Sequence, residues 1–340
     1  MRKIDFEVHF ATQGWVDALS KNPGYPRLAP DPVTGNRRLY YQASAAEPYP
    51  DALLERLLDI GEGRIKAMDE AGVDVAVLSL TAPGVDQLEP AVGTPVARAA
   101  NDALAEAIAR YPDRFRGYAA VCPKDTDAGV KELERCVREL GFKGWKTHCN
   151  YGDSYLDEKR YWPLLAKCAE LEVPIYLHPT VPMIKEFWTY GLALAGPGFG
   201  FGVETSIAMM RLVFSGIFDA YPSLKVVLGH YGEGLPFLLD RIDFGANFPH
   251  VSGDAGAFVA LKKKPSEYLR ENMWVSTSCN YLPGAFSCSW NDLGSKHVVF
   301  GSDYPYGNMK ECLAFLGGRG LSEAEESMLY EGNASALGVN

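Results

Sequence analysis

Short runs of consecutive apolar residues alternate along the chain with longer stretches whose apolar positions recur every three or four residues. The short runs, roughly 3–9, 73–80, 115–121, 142–147, 174–178, 225–229, 273–277 and 298–302, are rich in Val, Ile, Leu and aromatics, as strands buried on both faces must be. Between them, helical spacing covers Leu53 through Asp69, Ala97 through Tyr111, Thr126 through Leu140, Leu156 through Leu171, Glu204 to Asp219 and Glu323 to Leu337. Gly141, just after the third of these, suits a left-handed helix cap. Strands alternating with helices over the whole length predict right-handed βαβ units closed into a (β/α)8 TIM barrel. No short repeat, low-complexity segment or linker divides the chain, so 1–340 is expected to be a single domain.

Two connections are too long for simple turns and are functional candidates on that ground. The first, Gln13 to Pro50 after strand one, is rich in Pro, Gly and Tyr and is expected to form a flap inserted over the barrel mouth. The second, Pro179 to Val203, carries Phe187, Trp188, Tyr190, Phe199 and Phe201. These rings either line a pocket for a flat substrate or pack an oligomer interface and the barrel rim.

Polar residues end several of the apolar runs, where a barrel of this type builds its active site. Glu7 and His9 are two apart on one strand, so both project to the same face. His178 ends the fifth strand ahead of Pro179, and Asp303 follows the eighth in Gly301-Ser302-Asp303. A carboxylate near a barrel top must be paired or bound to a cation to offset its desolvation, helix N-capping being the other role open to Asp303. Four N/O ligands at strand ends one, five and eight predict a metal centre. His230 ends the sixth strand with Glu233 three residues on, near enough to fix its tautomer, which marks it as an acid or base. Arg241 could hold a substrate carboxylate, within its own subunit or across an interface, or pair with Asp240 or Asp243. On the fourth strand either Lys146 or His148 could face inward, and His250 and His297 look peripheral.

Composition narrows the picture. With 47% hydrophobic and 22% charged residues the chain is an ordinary globular one, and a formal charge of −10 offers no basic excess to a phosphate backbone, so nucleic acid is not an expected partner. Seven cysteines without a Cys-x-x-Cys pair are expected to be reduced and mostly buried. The first residues run straight into a strand and no long uncharged apolar stretch occurs, so a cytoplasmic protein with no membrane association is expected.

The chain resembles the amidohydrolase superfamily, in the branch of aminocarboxymuconate-semialdehyde decarboxylase and the hydroxybenzoate decarboxylases. The resemblance rests on Glu7-Val8-His9, Gly141 to Gly144, Tyr161-Trp162-Pro163, Val173 through Pro179, Ser215 through Asp219, Leu228 through Phe237 and Phe300 through Pro305. It implies that Glu7, His9, His178 and Asp303 hold one divalent metal and that His230 and Glu233 serve the reaction. A carboxylate in the first position, in place of the His-x-His opening of the semialdehyde type, is similar to the resorcylate and dihydroxybenzoate decarboxylases. It hardens the site, making Mn²⁺ as suitable as Zn²⁺. The segment 13–50 and Thr147 to Asn150 match no pattern of the family.

The expected activity is therefore non-oxidative decarboxylation of a small hydroxylated aromatic carboxylic acid, with Asp303 or His230 as proton donor and Arg241 on the substrate. The same residues would equally serve a hydrolase or hydratase acting on a lactone, amide or conjugated acid. A third possibility is a catalytically silent metal-binding barrel. A homodimer or homotetramer is expected from the aromatic loops.

Overall fold

The computed structural model describes residues 1–248 and 260–340; His250 lies outside them. The barrel strands are β1 (Ile4–Phe10), β5 (Val75–Leu80), β6 (Phe115–Gly117) with β7 (Ala119–Ala120), β8 (Trp145–His148), β9 (Ile175–His178), β10 (Val226–Leu228), β11 (Met273–Ser276) and β12 (Val298–Val299). Neighbours pair in parallel through β1-β5-β6 and through β7-β8-β9-β10-β11-β12. The two arcs join because β6 and β7 are one strand interrupted at Tyr118, whose amide donates to Leu78 O at 2.9 Å while the Ala119 amide donates to Gly144 O at 2.8 Å. The ring closes where the Phe6 amide donates to Phe300 O at 2.8 Å.

A bulge in β1 determines what the first strand offers the interior. The β1–β5 register shifts between Asp5 and Val8, and such an extra residue reverses the in–out phase. Below it, Ile4 and Phe6 fill the barrel floor with Tyr118, Tyr176, Val227, Trp274 and Val299. Above it, Glu7 and His9 point to the mouth. The displaced Asp5 is buried and held by the Ser302 amide (2.9 Å) and hydroxyl (2.5 Å). Burial pushes its carboxyl up to about 7 against those bonds.

The helical patterns are found with breaks. The stretch 53–69 is two helices, Asp51–Leu58 and Glu62–Ala71, because the Asp59 carboxylate accepts the Gly61 amide and starts the second one afresh. Helix Thr126–Arg138 ends before Gly141, which has φ +71°. The first long connection holds a helix, Gln13–Lys21, and an antiparallel sheet of β2 (Arg27–Pro30), β3 (Arg37–Gln42) and β4 (Ala45–Pro48). No helix among the described residues is long and apolar enough to cross a membrane.

Candidate metal centre and active site

At the upper ends of β1, β9 and β12, one ligand atom each of Glu7, His9, His178 and Asp303 lies within 4.8 Å of the others. Asp303 reaches this point through the turn after β12, where its amide donates to Glu7 O at 2.9 Å and its own φ is +61°. It caps no helix; Asn308 caps the helix Met309–Gly317 instead.

His9 Nε2 and Asp303 Oδ1 lie in hydrogen-bond contact at 2.8 Å, while the other two donors face the group without a partner, as metal ligands would. His178 Nδ1–H donates to Pro179 O at 2.9 Å, which leaves the Nε2 lone pair facing the group. That Nε2 and Glu7 Oε1 are buried without a hydrogen-bond partner, 4.0 Å apart. This is too long for a hydrogen bond, yet it suits two ligands each about 2.1 Å from one ion. Glu7 Oε2 accepts from Ser276 Oγ at 2.5 Å. The neighbouring wall is made of glycine: a Cβ on Gly229 would lie 3.2 Å from Glu7 Oε1, and one on Gly301 would lie 2.8 Å from the Ser276 Cβ.

Electrostatics agree. Burial lowers the pKa of His9 and His178, with the Lys146 ammonium adding to both, so the imidazoles are neutral as ligands must be. For Asp303, burial alone would raise the carboxyl, but the nearby His230 imidazolium and the 2.8 Å hydrogen bond with His9 Nε2 hold it well below the usual carboxylate range. Lys146 and His148, two apart on β8, both turn inward, so the choice between them falls away. Lys146 Nζ donates to Leu80 O (2.8 Å) beside His9 Nδ1 (3.2 Å), and burial pushes it down to about 7. His148 Nδ1 pairs with Asp86 at 2.8 Å, its ring 5.4 Å from that of His178.

His230 stands across the mouth, with φ +51° after β10. Its Nδ1–H donates to Glu233 Oε1 at 2.6 Å, and Nε2 lies 3.9 Å from Asp303 Oδ2. Burial opposes the charged imidazolium, yet the carboxylates of Glu233 and Asp303 overcome it and raise the group well above the usual histidine range. His178, His230, Glu233 and Asp303 line one cavity of about 690 Å³.

Two readings that the sequence left open are narrowed. Arg241 does not line this cavity; it is exposed on the helix Leu235–Ala246, its guanidinium 5.5 Å from the Phe244 ring. Of the five aromatics after β9, only Phe201 lines it. Phe199 is 56% exposed and stacks on Phe187, and Tyr190 is 74% exposed. Conversely, the cavity wall includes residues that local patterns did not mark: Tyr41 and Glu47 from the flap, Cys279, and Tyr306, whose hydroxyl lies 2.8 Å from Thr81 Oγ1. His297 is remote, bonded to Met273 O at the start of β11.

A closed parallel barrel with two histidines and two carboxylates converging at one mouth, and a separate histidine poised over them, defines a mononuclear-type metal barrel. The amidohydrolase family profile matches residues 4–337, and the chain belongs to that family. It is 36% identical over 344 residues to the gamma-resorcylate decarboxylase of Polaromonas sp. (strain JS666), covering 98% of each chain. The solved dihydroxybenzoic acid decarboxylase from Polaromonas sp. JS666, with bound manganese and the inhibitor 2-nitroresorcinol, superposes with a TM-score of 0.82 at 34% identity, over 99% of this chain and 96% of that one. The 5-carboxyvanillate decarboxylase of Novosphingobium aromaticivorans, complexed with manganese and 4-hydroxy-3-methoxy-5-nitrobenzoic acid, gives a TM-score of 0.88 at 33% identity, over 99% and 95%.

Proposed function

We propose that this protein is a metal-dependent decarboxylase of hydroxylated benzoates, of the dihydroxybenzoate or resorcylate type. The observation that carries the reading is that the four-ligand group, through His178 and Asp303, and the His230–Glu233 pair open into one cavity. The manganese-containing decarboxylases among its structural relatives support it. A divalent ion held by Glu7, His9, His178 and Asp303, Mn²⁺ or Zn²⁺, would supply the positive charge that gathers the substrate carboxylate and its ortho hydroxyl.

The chain's own groups manage the proton. Expelling carbon dioxide directly would leave an aryl carbanion, so protonation of the ring carbon comes first. His230, anchored through Nδ1 on Glu233, and Asp303 beside its Nε2 form the donor pair facing the cavity. The proton goes to the carbon bearing the carboxylate. The carbon–carboxylate bond then breaks, its electron pair restores the aromatic ring, and carbon dioxide leaves. Phe201 and Tyr41, edge to face at 6.0 Å, give the ring an apolar wall.

We further propose a cytoplasmic homodimer or homotetramer. Phe237 (82% exposed), Leu238 and Phe244 leave an apolar face on the helix that carries Arg241, which a second copy would cover, bringing Arg241 to the partner's cavity. Sedimentation at the 37.3 kDa monomer mass would refute this. The activity is tested by incubating manganese-loaded protein with dihydroxybenzoates in deuterium oxide. Carbon dioxide release, with deuterium at the vacated ring carbon, is expected; label from H₂¹⁸O entering the product without carbon dioxide would establish a hydrolase or hydratase instead.

A further inference from the structure

The flap contributes a polar pair that the proton chemistry leaves unused. β3 and β4 pair antiparallel with Leu39 opposite Glu47. Because side chains alternate with period two, Leu39, Tyr41 and Glu47 share the inner face of this sheet. Leu39 and Tyr41 are buried there, as an inner face requires. Glu47 lines the same cavity as His178, His230 and Asp303. Its Oε2 accepts from the Tyr41 hydroxyl at 3.2 Å, which braces the carboxyl, while Oε1 takes no hydrogen bond from any described residue. Burial pushes this carboxyl up to about 7; the Tyr41 bond pulls it down and the Asp303 charge pushes it further up.

A braced carboxyl with one open oxygen on a cavity wall is an acceptor in want of a donor. A ring gripped through its carboxylate and ortho hydroxyl at the strand ends turns its remaining positions toward the other walls, of which the flap is one. We propose that Glu47, braced by Tyr41, is a specificity-determining residue that selects benzoates bearing a second, free ring hydroxyl. This rests on the decarboxylase reading above. A phenolic O–H can donate to Oε1; a methyl ether has no proton to give, and a second carboxylate would bring like charge beside Glu47 and Asp303.

The test compares each dihydroxybenzoate that keeps an ortho hydroxyl with its methyl ether at the second hydroxyl, on the full-length manganese-loaded enzyme. Turnover gives kcat/KM and calorimetry gives the affinity of each acid. For the best isomer, the free hydroxyl is expected to be favoured by about ten- to a hundredfold, the range for leaving a buried acceptor without its donor. Glu47→Leu is expected to collapse that ratio toward unity, and Glu47→Gln, which keeps an acceptor oxygen, to restore part of it. Two results would overturn the proposal: no isomer outperforming its ether, or a Glu47→Leu variant that loses turnover and affinity on all acids with the ratio intact, which would reduce Glu47 to a support for Tyr41. Binding that discriminates in the expected way without any carbon dioxide release would sink the decarboxylase reading while leaving the role of Glu47 standing.

Discussion

Replacing Glu7 by Gln should make the metal-free protein more stable and the metal-loaded protein less so. In the absence of an ion Glu7 is a buried carboxylate with one orphan oxygen, and such a group costs about 1–3 kcal/mol. Glutamine keeps an oxygen for the 2.5 Å contact with Ser276 and offers an N–H toward His178 Nε2, 4.0 Å away. Unfolding 340 residues carries an entropy of about 0.7 kcal/mol/K, so relief of roughly 1 kcal/mol raises Tm by about 1–2 °C. With Mn²⁺ the order reverses. An ion at about 100 times its Kd stabilises wild type by about 2.7 kcal/mol, or about 4 °C. Losing a charged ligand should weaken binding at least tenfold, removing about 1.4 kcal/mol of that gain. Thermal melts in chelator and across a manganese series, with metal content measured on the same samples, read both arms. A wild type whose Tm is indifferent to manganese, zinc and magnesium would refute the metal centre; a Glu7→Gln protein that gains as much as wild type would remove Glu7 from it.

His230→Asn should retain manganese, because His230 is not among the four ligands, while kcat falls by about 10²–10⁴; equal loss of metal and activity would contradict that division. Ser276→Ala frees Glu7 Oε2 from its hydrogen bond and should weaken manganese about 10–100-fold, measured by competition with a chelating dye. Glu47→Gln should flatten the pH dependence of stability. Because the folded carboxyl titrates near 7 rather than 4.5, the unfolded chain binds fewer protons between those values and wild type loses stability as pH rises through that window. The loss is on the order of 1–3 kcal/mol, tempered by the group's position on a cavity wall. The gap between melts at about pH 5 and about pH 8.5 should therefore narrow in the variant, Asp5 keeping its own share of it; an unchanged difference would deny the shift.

The barrel and its metal group were legible because both follow from local patterns. A doubly buried strand reads as an apolar run, and polar residues at or just past its end face the mouth, which marks Glu7, His9, His178 and His230. The β1 bulge was not legible, since all seven residues of Ile4–Phe10 are buried whichever way they point. Nor was the break at Tyr118. That Arg241 stays outside its own subunit's cavity was open in the sequence although a signal existed: Leu235 and Leu239 mark the buried side of its helix, and a residue two beyond Leu239 lies about 200° around, on the opposite side. The flap was seen only as a long polar connection. Alternation in Arg38-Leu39-Tyr40-Tyr41 hints at a strand, but the inward place of Glu47 depends on the β3–β4 register, which no local motif encodes.

That contrast follows from how the site is built. Groups that handle the metal and the proton sit on strand ends, whose positions are fixed by the closed ladder of the barrel, so small errors in their geometry are resisted by the whole core. The flap side of the cavity is a three-stranded sheet outside that ladder, tied to it by contacts such as the 3.4 Å approach of the Tyr49 and Tyr306 hydroxyls. Changing a flap side chain can therefore alter which ring fits without moving a ligand atom. Among the relatives, a resorcylate decarboxylase and a carboxyvanillate decarboxylase share this barrel at nearly the same identity to the chain. In this chain selectivity is accordingly to be sought on the inner face of the flap, where the Glu47 carboxyl stands.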